Sequence, residues 1–258
     1  MKIISLGSSS AGNCYLISDG ECLIMLECGF SFKWIAGQMR EKGYSFSQLS
    51  GVLISHEHKD HARAWDKLAE LCQIYASDGT IEAMAAKNPA MAETVVSIAP
   101  ETPEAFTSRP QVIGTFDVVA FRTFHDAREP VGFLLQSRVT GERLVFATDT
   151  VNIRYRFPGV NILMLEANYA ESILARNSRI PETVVKRIRN SHMELYRLAA
   201  YLQTLDLSDC REIYLMHLSD QGSDEYMFYH SIKSVVPDHV KVWIFPKGGP
   251  KKERKRKC

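Results

Sequence analysis

The segment Ser55-His56-Glu57-His58-Lys59-Asp60-His61 constrains this chain more than any other, because four side chains able to bind metal fall within six residues directly after the apolar run Val52-Leu53-Ile54. Extended residues alternate sides, so His56 and His58 project the same way where the strand ends. The chain then turns into a helix, expected from about Asp60 to Cys72 because Trp65, Leu68, Ala69 and Cys72 stand at i, i+3, i+4 and i+7. Asp60 and His61, at its start, can face a second ion. Imidazole and carboxylate donors suit Zn²⁺, with Mn²⁺ or Fe as alternatives. A lone histidine is more often a hydrogen-bonded polar group than a ligand. This density of donors reverses that weighting.

Three further donors close apolar runs downstream. His125 follows Val118–Phe124, Asp149 follows Leu144–Thr148, and His217 follows Ile213–Met216. The pattern His-x-His-x-Asp-His, followed in order by these residues, resembles the signature of the metallo-β-lactamase superfamily. The resemblance implies two divalent metal ions. His56, His58 and His125 would hold one, Asp60, His61 and His217 the other, and Asp149 would bridge them. It also implies a four-layer αββα sandwich of α/β (α+β) class. Periodicity alone gives mixed α and β, with strands near 2–6, 13–18, 22–27, 51–55, 74–76 and 162–167, a hairpin over 131–147, two late helices and a final strand over 240–245.

The chain has 258 residues, enough for one large domain with a substantial core, and no Pro/Gly/Ser-rich linker divides it. We place this hydrolase domain at 1–246 and a basic tail, expected to be disordered, at 247–258. No apolar run approaches a membrane span and the N-terminal segment is too short in its apolar part for a signal peptide, so a cytoplasmic protein without membrane contact is expected. Cys14, Cys22, Cys28, Cys72, Cys210 and Cys258 are scattered without a Cys-x-x-Cys pair, which points to reduced thiols. The tail Lys251–Lys257 holds six basic residues and one acidic; without it the chain carries 25 basic and 29 acidic residues, a body of about −4. A mobile run of this kind either holds a nucleic-acid backbone or simply solubilises the chain.

The flanks narrow the resemblance. Leu6-Gly7-Ser8-Ser9-Ser10-Ala11-Gly12-Asn13-Cys14, His125-Asp126-Ala127-Arg128-Glu129-Pro130-Val131-Gly132-Phe133, Leu165-Glu166-Ala167-Asn168 and His217-Leu218-Ser219 resemble the WalJ/YycJ-type branch over nearly the whole chain. That branch implies a nuclease, a 5′-to-3′ exonuclease acting on DNA. The glycine/serine stretch reads equally as a tight turn between strands. Two departures stand out. Glu27 occupies the place where the superfamily usually carries Asp, a residue that orients ligands, and Tyr169-Ala170 follows Asn168 where the branch tends to continue His-Asp.

His192 is the remaining candidate. Ser191 and Glu194 form a Ser-x-x-Glu capping box, with Leu195, Leu198, Ala199 and Leu202 supplying a helical stripe, so His192 is expected in a first helical turn where backbone N–H groups favour a phosphate. The position resembles the histidine that contacts the scissile phosphate in the superfamily's tRNA 3′-processing ribonucleases. His192 would stabilise phosphoryl charge or protonate the leaving oxygen, and Asp60 would orient the nucleophilic water; an exposed helix-start histidine is the bland alternative. The 67 residues between Asp149 and His217 leave no room for the large inserted domain of the RNA-processing enzymes. Three functions fit: a phosphodiesterase acting on nucleic acid, DNA above all; a small-molecule hydrolase such as a cyclic-nucleotide phosphodiesterase, thioesterase or lactamase; and a non-catalytic metal-binding module.

Overall fold

A computed structural model describes residues 1–100, 107–246 and 248. Among these, β1 (Lys2–Ser9), β2 (Gly12–Ser18), β3 (Leu23–Leu26), β4 (Leu49–Leu53), β5 (Ile74–Ala76) and β6 (Val96–Ser97) form one sheet in sequence order. A second sheet holds β7 (Gln111–Ile113), β8 (Phe116–Arg122), β9 (Val131–Ser137), β10 (Arg143–Ala147), β11 (Ile162–Glu166), β12 (Glu212–Met216) and β13 (Lys241–Ile244), again in sequence order. Each sheet starts antiparallel and turns parallel: β3 to β6 in the first, β10 to β13 in the second.

Strand composition explains the layering. Along β10, Leu144 and Phe146 enter the core between the sheets, beside Tyr15 and Leu26, while Val145 and Ala147 enter a second core outside them. Both faces of such a strand are covered, so it reads as a continuous apolar run rather than an alternation. Helices α1 (Phe32–Glu41), α2 (Lys59–Ala62), α3 (Trp65–Ala69), α4 (Asp78–Ala85) and α5 (Pro89–Ala92) cover the outer face of the first sheet, through residues such as Ile35, Met39, Trp65, Leu68 and Met84. After α6 (Glu171–Leu174) and α7 (Glu182–Ser191), α8 (Leu195–Leu202) and α9 (Glu225–Lys233) cover the second, through Leu195, Leu198, Leu202, Phe228 and Ile232. The result is the expected αββα sandwich.

One expected element is broken. The helix foreseen over Asp60–Cys72 is two short helices, α2 and α3, separated at Arg63-Ala64. Backbone pairing with the strand end causes the break: the Cys28 N–H donates to the His61 carbonyl at 2.7 Å and the Ala64 N–H donates to the Cys28 carbonyl at 3.0 Å. Gly29 permits this approach, since a Cβ there would lie 1.6 Å from the Asp60 carbonyl oxygen. The cost of interrupting the helix fixes Asp60 and His61 against β3. The hairpin over β9 and β10 stands as expected, with Gly141 at φ 73° in its turn.

Cys14, Cys22, Cys28, Cys72 and Cys210 are free thiols, and all but Cys72 are buried. No helix among the described residues is long and apolar enough to cross a membrane. The tail expected at 247–258 and Cys258 lie outside the described residues, Gly248 apart.

Candidate metal centre

The carboxyl ends of β3, β4, β8, β10, β11 and β12 deliver the candidate residues to one edge of the sandwich. Ligand sites sit at strand carboxyl ends in sheets of this kind because side chains from several strands converge there. Among the described residues three non-glycine residues occupy the left-handed backbone region, Glu27 (φ 62°), Asp149 (φ 43°) and His217 (φ 56°), and each lies within two residues of a strand end. Such conformations are costly for L-residues and persist where the surroundings over-determine them. Here they turn three side chains out of their strands into a common centre.

His56, His58 and His125 form one group whose donor atoms lie within 4.8 Å of one another, and Asp60, His61, Asp149 and His217 form another. His58 Nδ1 is 3.1 Å from His125 Nε2. Asp149 stands between the groups. Its Oδ2 is 3.4 Å from His125 Nε2 and 3.9 Å from His56 Nε2, and its Oδ1 is 3.4 Å from His61 Nε2 and 3.3 Å from His217 Nδ1. Asp60 Oδ2 completes the second group, 3.5 Å from His61 Nε2 and 3.4 Å from His217 Nε2. Every residue singled out for metal in the sequence is therefore in this cluster.

The arrangement fits a cation. His56 is buried and, among the described residues, its Nε2 has no hydrogen-bond partner. An orphaned buried nitrogen is expensive unless something accepts its lone pair. Burial opposes charge throughout the centre, yet His217 and His61 hold the Asp149 carboxyl well below the usual carboxylate range. Burial also works against protonating His217, and Asp149, Asp60 and Glu166 outweigh it, pushing this imidazole up to about 10. Burial, then the neighbouring His61, hold His56 well below the usual imidazole range. A buried carboxylate held ionised beside an imidazole kept neutral is a donor set suited to a divalent cation.

A surrounding layer fixes the donors. The His125 Nδ1–H donates to the Ser191 carbonyl at 2.7 Å, which leaves Nε2 facing the centre. Ser55 Oγ lies 2.9 Å from His56 Nδ1. Glu27 places Oε2 3.2 Å from His61 Nδ1 while Oε1 accepts from the Ser55 N–H at 3.0 Å, so one buried carboxylate ties His61 and the segment leading into His56 to the end of β3. Asn13 Nδ2 donates to the Ser9 carbonyl at 3.1 Å and sits 3.3 Å from His61 Nε2. Ser8 Oγ accepts from the His217 N–H at 2.9 Å and from the Tyr15 hydroxyl at 2.7 Å. The glycine/serine stretch is therefore a tight turn between β1 and β2 whose flanking side chains brace the centre.

Glu27 spans His61 and Ser55 only at its full length, so Glu27→Asp is expected to weaken metal binding by about 10- to 100-fold, the usual cost of disturbing a group that orients a ligand. Chelator competition measures this; unchanged affinity in the aspartate variant removes the orienting role.

His192 reaches the site by a different route from the one its flanks suggest. Ser191 ends α7, His192 is extended (φ −131°, ψ 158°), and Glu194 is itself the N-cap of α8, accepting from the Arg197 N–H at 3.0 Å. No capping box forms and His192 is not in a first helical turn. Pairing with the chain after β11 wins instead: the Asn168 N–H donates to the Met193 carbonyl at 3.0 Å and the Leu195 N–H to the Tyr169 carbonyl at 2.8 Å. The His192 ring nonetheless stacks on His217, with centroids 5.5 Å apart, and meets His125 edge-on at 5.2 Å. Its Nδ1 lies 2.6 Å from Glu166 Oε1.

Glu166 is a further candidate residue whose place in the centre the sequence concealed. It is buried, its Oε1 is also 3.2 Å from His217 Nδ1, and its Oε2 accepts from the Thr150 N–H at 2.9 Å and the Met193 N–H at 3.1 Å. Burial disfavours charge on His192, and the adjoining Glu166 carboxylate more than offsets it, raising the imidazole above its ordinary value.

This sandwich, with its metal-capable cluster at the strand ends, defines a metal-dependent hydrolase. Residues 23–218 match the family model described as a β-lactamase superfamily domain, and the chain belongs to the metallo-β-lactamase superfamily. It is 26% identical over 243 residues to exodeoxyribonuclease YycJ of Bacillus anthracis, covering 90% of this chain and 88% of that one. It is also 26% identical over 231 residues to exodeoxyribonuclease WalJ of Streptococcus pneumoniae, covering 86% and 83%. The crystal structure of the metallo-β-lactamase fold protein YhfI from Bacillus subtilis superposes with a TM-score of 0.68 at 18% identity, covering 96% of this chain and 97% of that one.

Proposed function

We propose that this protein is a dinuclear metal-dependent phosphodiesterase acting as a nuclease on DNA, with Zn²⁺ the favoured ion and Mn²⁺ or Fe as alternatives. The observation that carries the reading is His192. A histidine tied at Nδ1 to a buried carboxylate, at the mouth of a metal-capable cluster, keeps Nε2 for a substrate. A protonated imidazole there can neutralise charge on a phosphoryl oxygen and give its proton to an alkoxide leaving from phosphorus. The two exodeoxyribonucleases of the same branch support DNA as the polymer.

When bound, two ions supply an acidified water and stabilise charge on a phosphoryl oxygen. His56, His58 and His125 would hold one and Asp60, His61 and His217 the other, with one Asp149 oxygen turned to each group. Asp60, reaching both His61 and His217, orients the attacking water. Glu166 keeps His192 protonated and aimed, so that it neutralises the phosphoryl group or donates its Nε2 proton to the leaving oxygen. Burial of Asp149, His56 and His61 keeps bulk water from competing for these contacts.

The test is metal-reconstituted protein incubated with 5′-phosphorylated single- and double-stranded DNA, alongside an Asp60→Ala/His61→Ala control. The expected result is degradation that the control abolishes. Intact DNA together with turnover of small esters or cyclic nucleotides would overturn the nuclease reading.

A further inference from the structure

The chain on either side of His192 carries a run of charge that the chemistry above does not use. From Ala175 to Arg197 it holds six basic side chains (Arg176, Arg179, Lys186, Arg187, Arg189 and Arg197) against two acidic ones, in a chain whose overall charge is only +1. All six are exposed. Helix α7 buries only Ser191, where it meets His125, so its composition is not dictated by packing on the sheet.

Folding accounts for part of this charge and not the rest. Arg187 Nε donates to Asp126 Oδ2 at 2.8 Å, Arg189 pairs with Glu171, and Arg197 donates to the Val151 carbonyl at 2.9 Å. Arg176, Arg179 and Lys186 have no carboxylate partner among the described residues. Arg179 moreover stands two residues before the N-cap Pro181, at the helix end where a cation opposes the dipole.

The stretch also lines two clefts. One, open and of about 590 Å³, is lined by Arg176, Arg179 and Asn177 with Asp220 and Gln221, which follow His217 closely in sequence. The other, of about 500 Å³, is lined by Arg187, Asn190 and Ser191 with Phe124 and the candidate ligand His125. A polymer leaving the centre at His125 would meet Arg187 in the second cleft, and Arg176 and Arg179 stand exposed in the first.

We propose that this stretch is the track for the DNA backbone, with Arg176, Arg179 and Lys186 each contacting a phosphate beyond the scissile one. This rests on the nuclease reading and extends it. Arg187 can join by exchanging Asp126 for a phosphate. Backbone contacts of this kind set affinity and register without reading sequence.

The test compares Arg176→Ala/Arg179→Ala/Lys186→Ala with Lys33→Ala/Arg40→Ala/Lys42→Ala, which removes the same charge from exposed positions on and beside α1. Binding of a 5′-phosphorylated duplex is measured across a salt series with metal-loaded protein, and melting curves confirm folding. The track variant is expected to bind about 10- to 100-fold more weakly near 0.1 M salt, with a log–log salt slope shallower by roughly 2 to 3, since each lost phosphate contact contributes about 0.9. The α1 variant is expected to match the unmodified protein. Equal weakening in both variants, or none in the first, overturns the track while leaving the nuclease reading intact. Absence of DNA binding and cleavage by the unmodified protein removes that reading, and the track with it.

Discussion

Asp149→Ala is expected to empty both donor groups at once and to lower phosphodiester hydrolysis by more than roughly 10³-fold, well beyond the cost of losing a group that merely orients a ligand. The reason is geometric. One carboxylate oxygen lies 3.4 Å from His125 Nε2 and the other 3.4 Å from His61 Nε2, and among the described residues no other carboxylate makes contacts to both groups. His58→Ala, by contrast, removes a donor from one group and should leave an ion in the other. Metal analysis of the desalted proteins distinguishes these outcomes, with circular dichroism to confirm that both variants fold. Two ions retained by Asp149→Ala would show that it does not join the groups.

Glu166→Gln is expected to reduce turnover at saturating metal by about 10²- to 10³-fold, the range associated with losing a positioned proton donor. The substitution preserves shape but not hydrogen-bond polarity. Glu166 accepts from two backbone N–H groups at Oε2 and faces both His192 and His217 at Oε1. An amide must turn its NH₂ toward one of these sides, either opposing the Thr150 and Met193 donors or ceasing to hold the His192 proton. The loss should be shared with His192: Glu166→Gln combined with His192→Ala should be no slower than His192→Ala alone, because residues acting as a unit are not additive. Additive losses would assign Glu166 a role independent of His192. Metal affinity is checked in the same variant, since Glu166 also contacts the candidate ligand His217.

Why one half of this constellation is visible in the chain and the other is not follows from how locally each residue is specified. His56, His58, Asp60 and His61 lie within one strand-to-helix turn, so their spacing alone declares a shared centre. His125, Asp149 and His217 each follow an apolar run, and strand ends of one sheet edge converge whatever lies between them in sequence. Glu166 also ends an apolar run, Ile162–Leu165, yet a carboxylate after a strand has no distinctive neighbour, and its partner His192 is 26 residues away. The local signal around His192 was misleading for a physical reason. Ser191 and Glu194 have the capping-box spacing, but the backbone there pairs with Asn168 and Tyr169, and that long-range bonding outweighs the local preference for a helix start. The break between α2 and α3 has the same origin, since Cys28 takes backbone bonds that a continuous helix would have kept for itself.

The layered architecture was more legible than the bracing around the site. Strands buried on both faces and helices with apolar stripes announce themselves in composition, whereas Ser8, Asn13 and Ser55 are small polar residues whose significance lies wholly in what they touch.

The measurement that bears most directly on the central claim is the rate of hydrolysis of 5′-phosphorylated DNA as metal-free protein is titrated with Zn²⁺ or Mn²⁺, with the ions bound per chain counted in parallel. Two ions joined by Asp149 predict that activity reaches its plateau only as a second equivalent binds, and that Asp149→Ala stays inactive throughout. Full activity at one equivalent, or hydrolysis that persists after chelation, would contradict a shared two-ion centre.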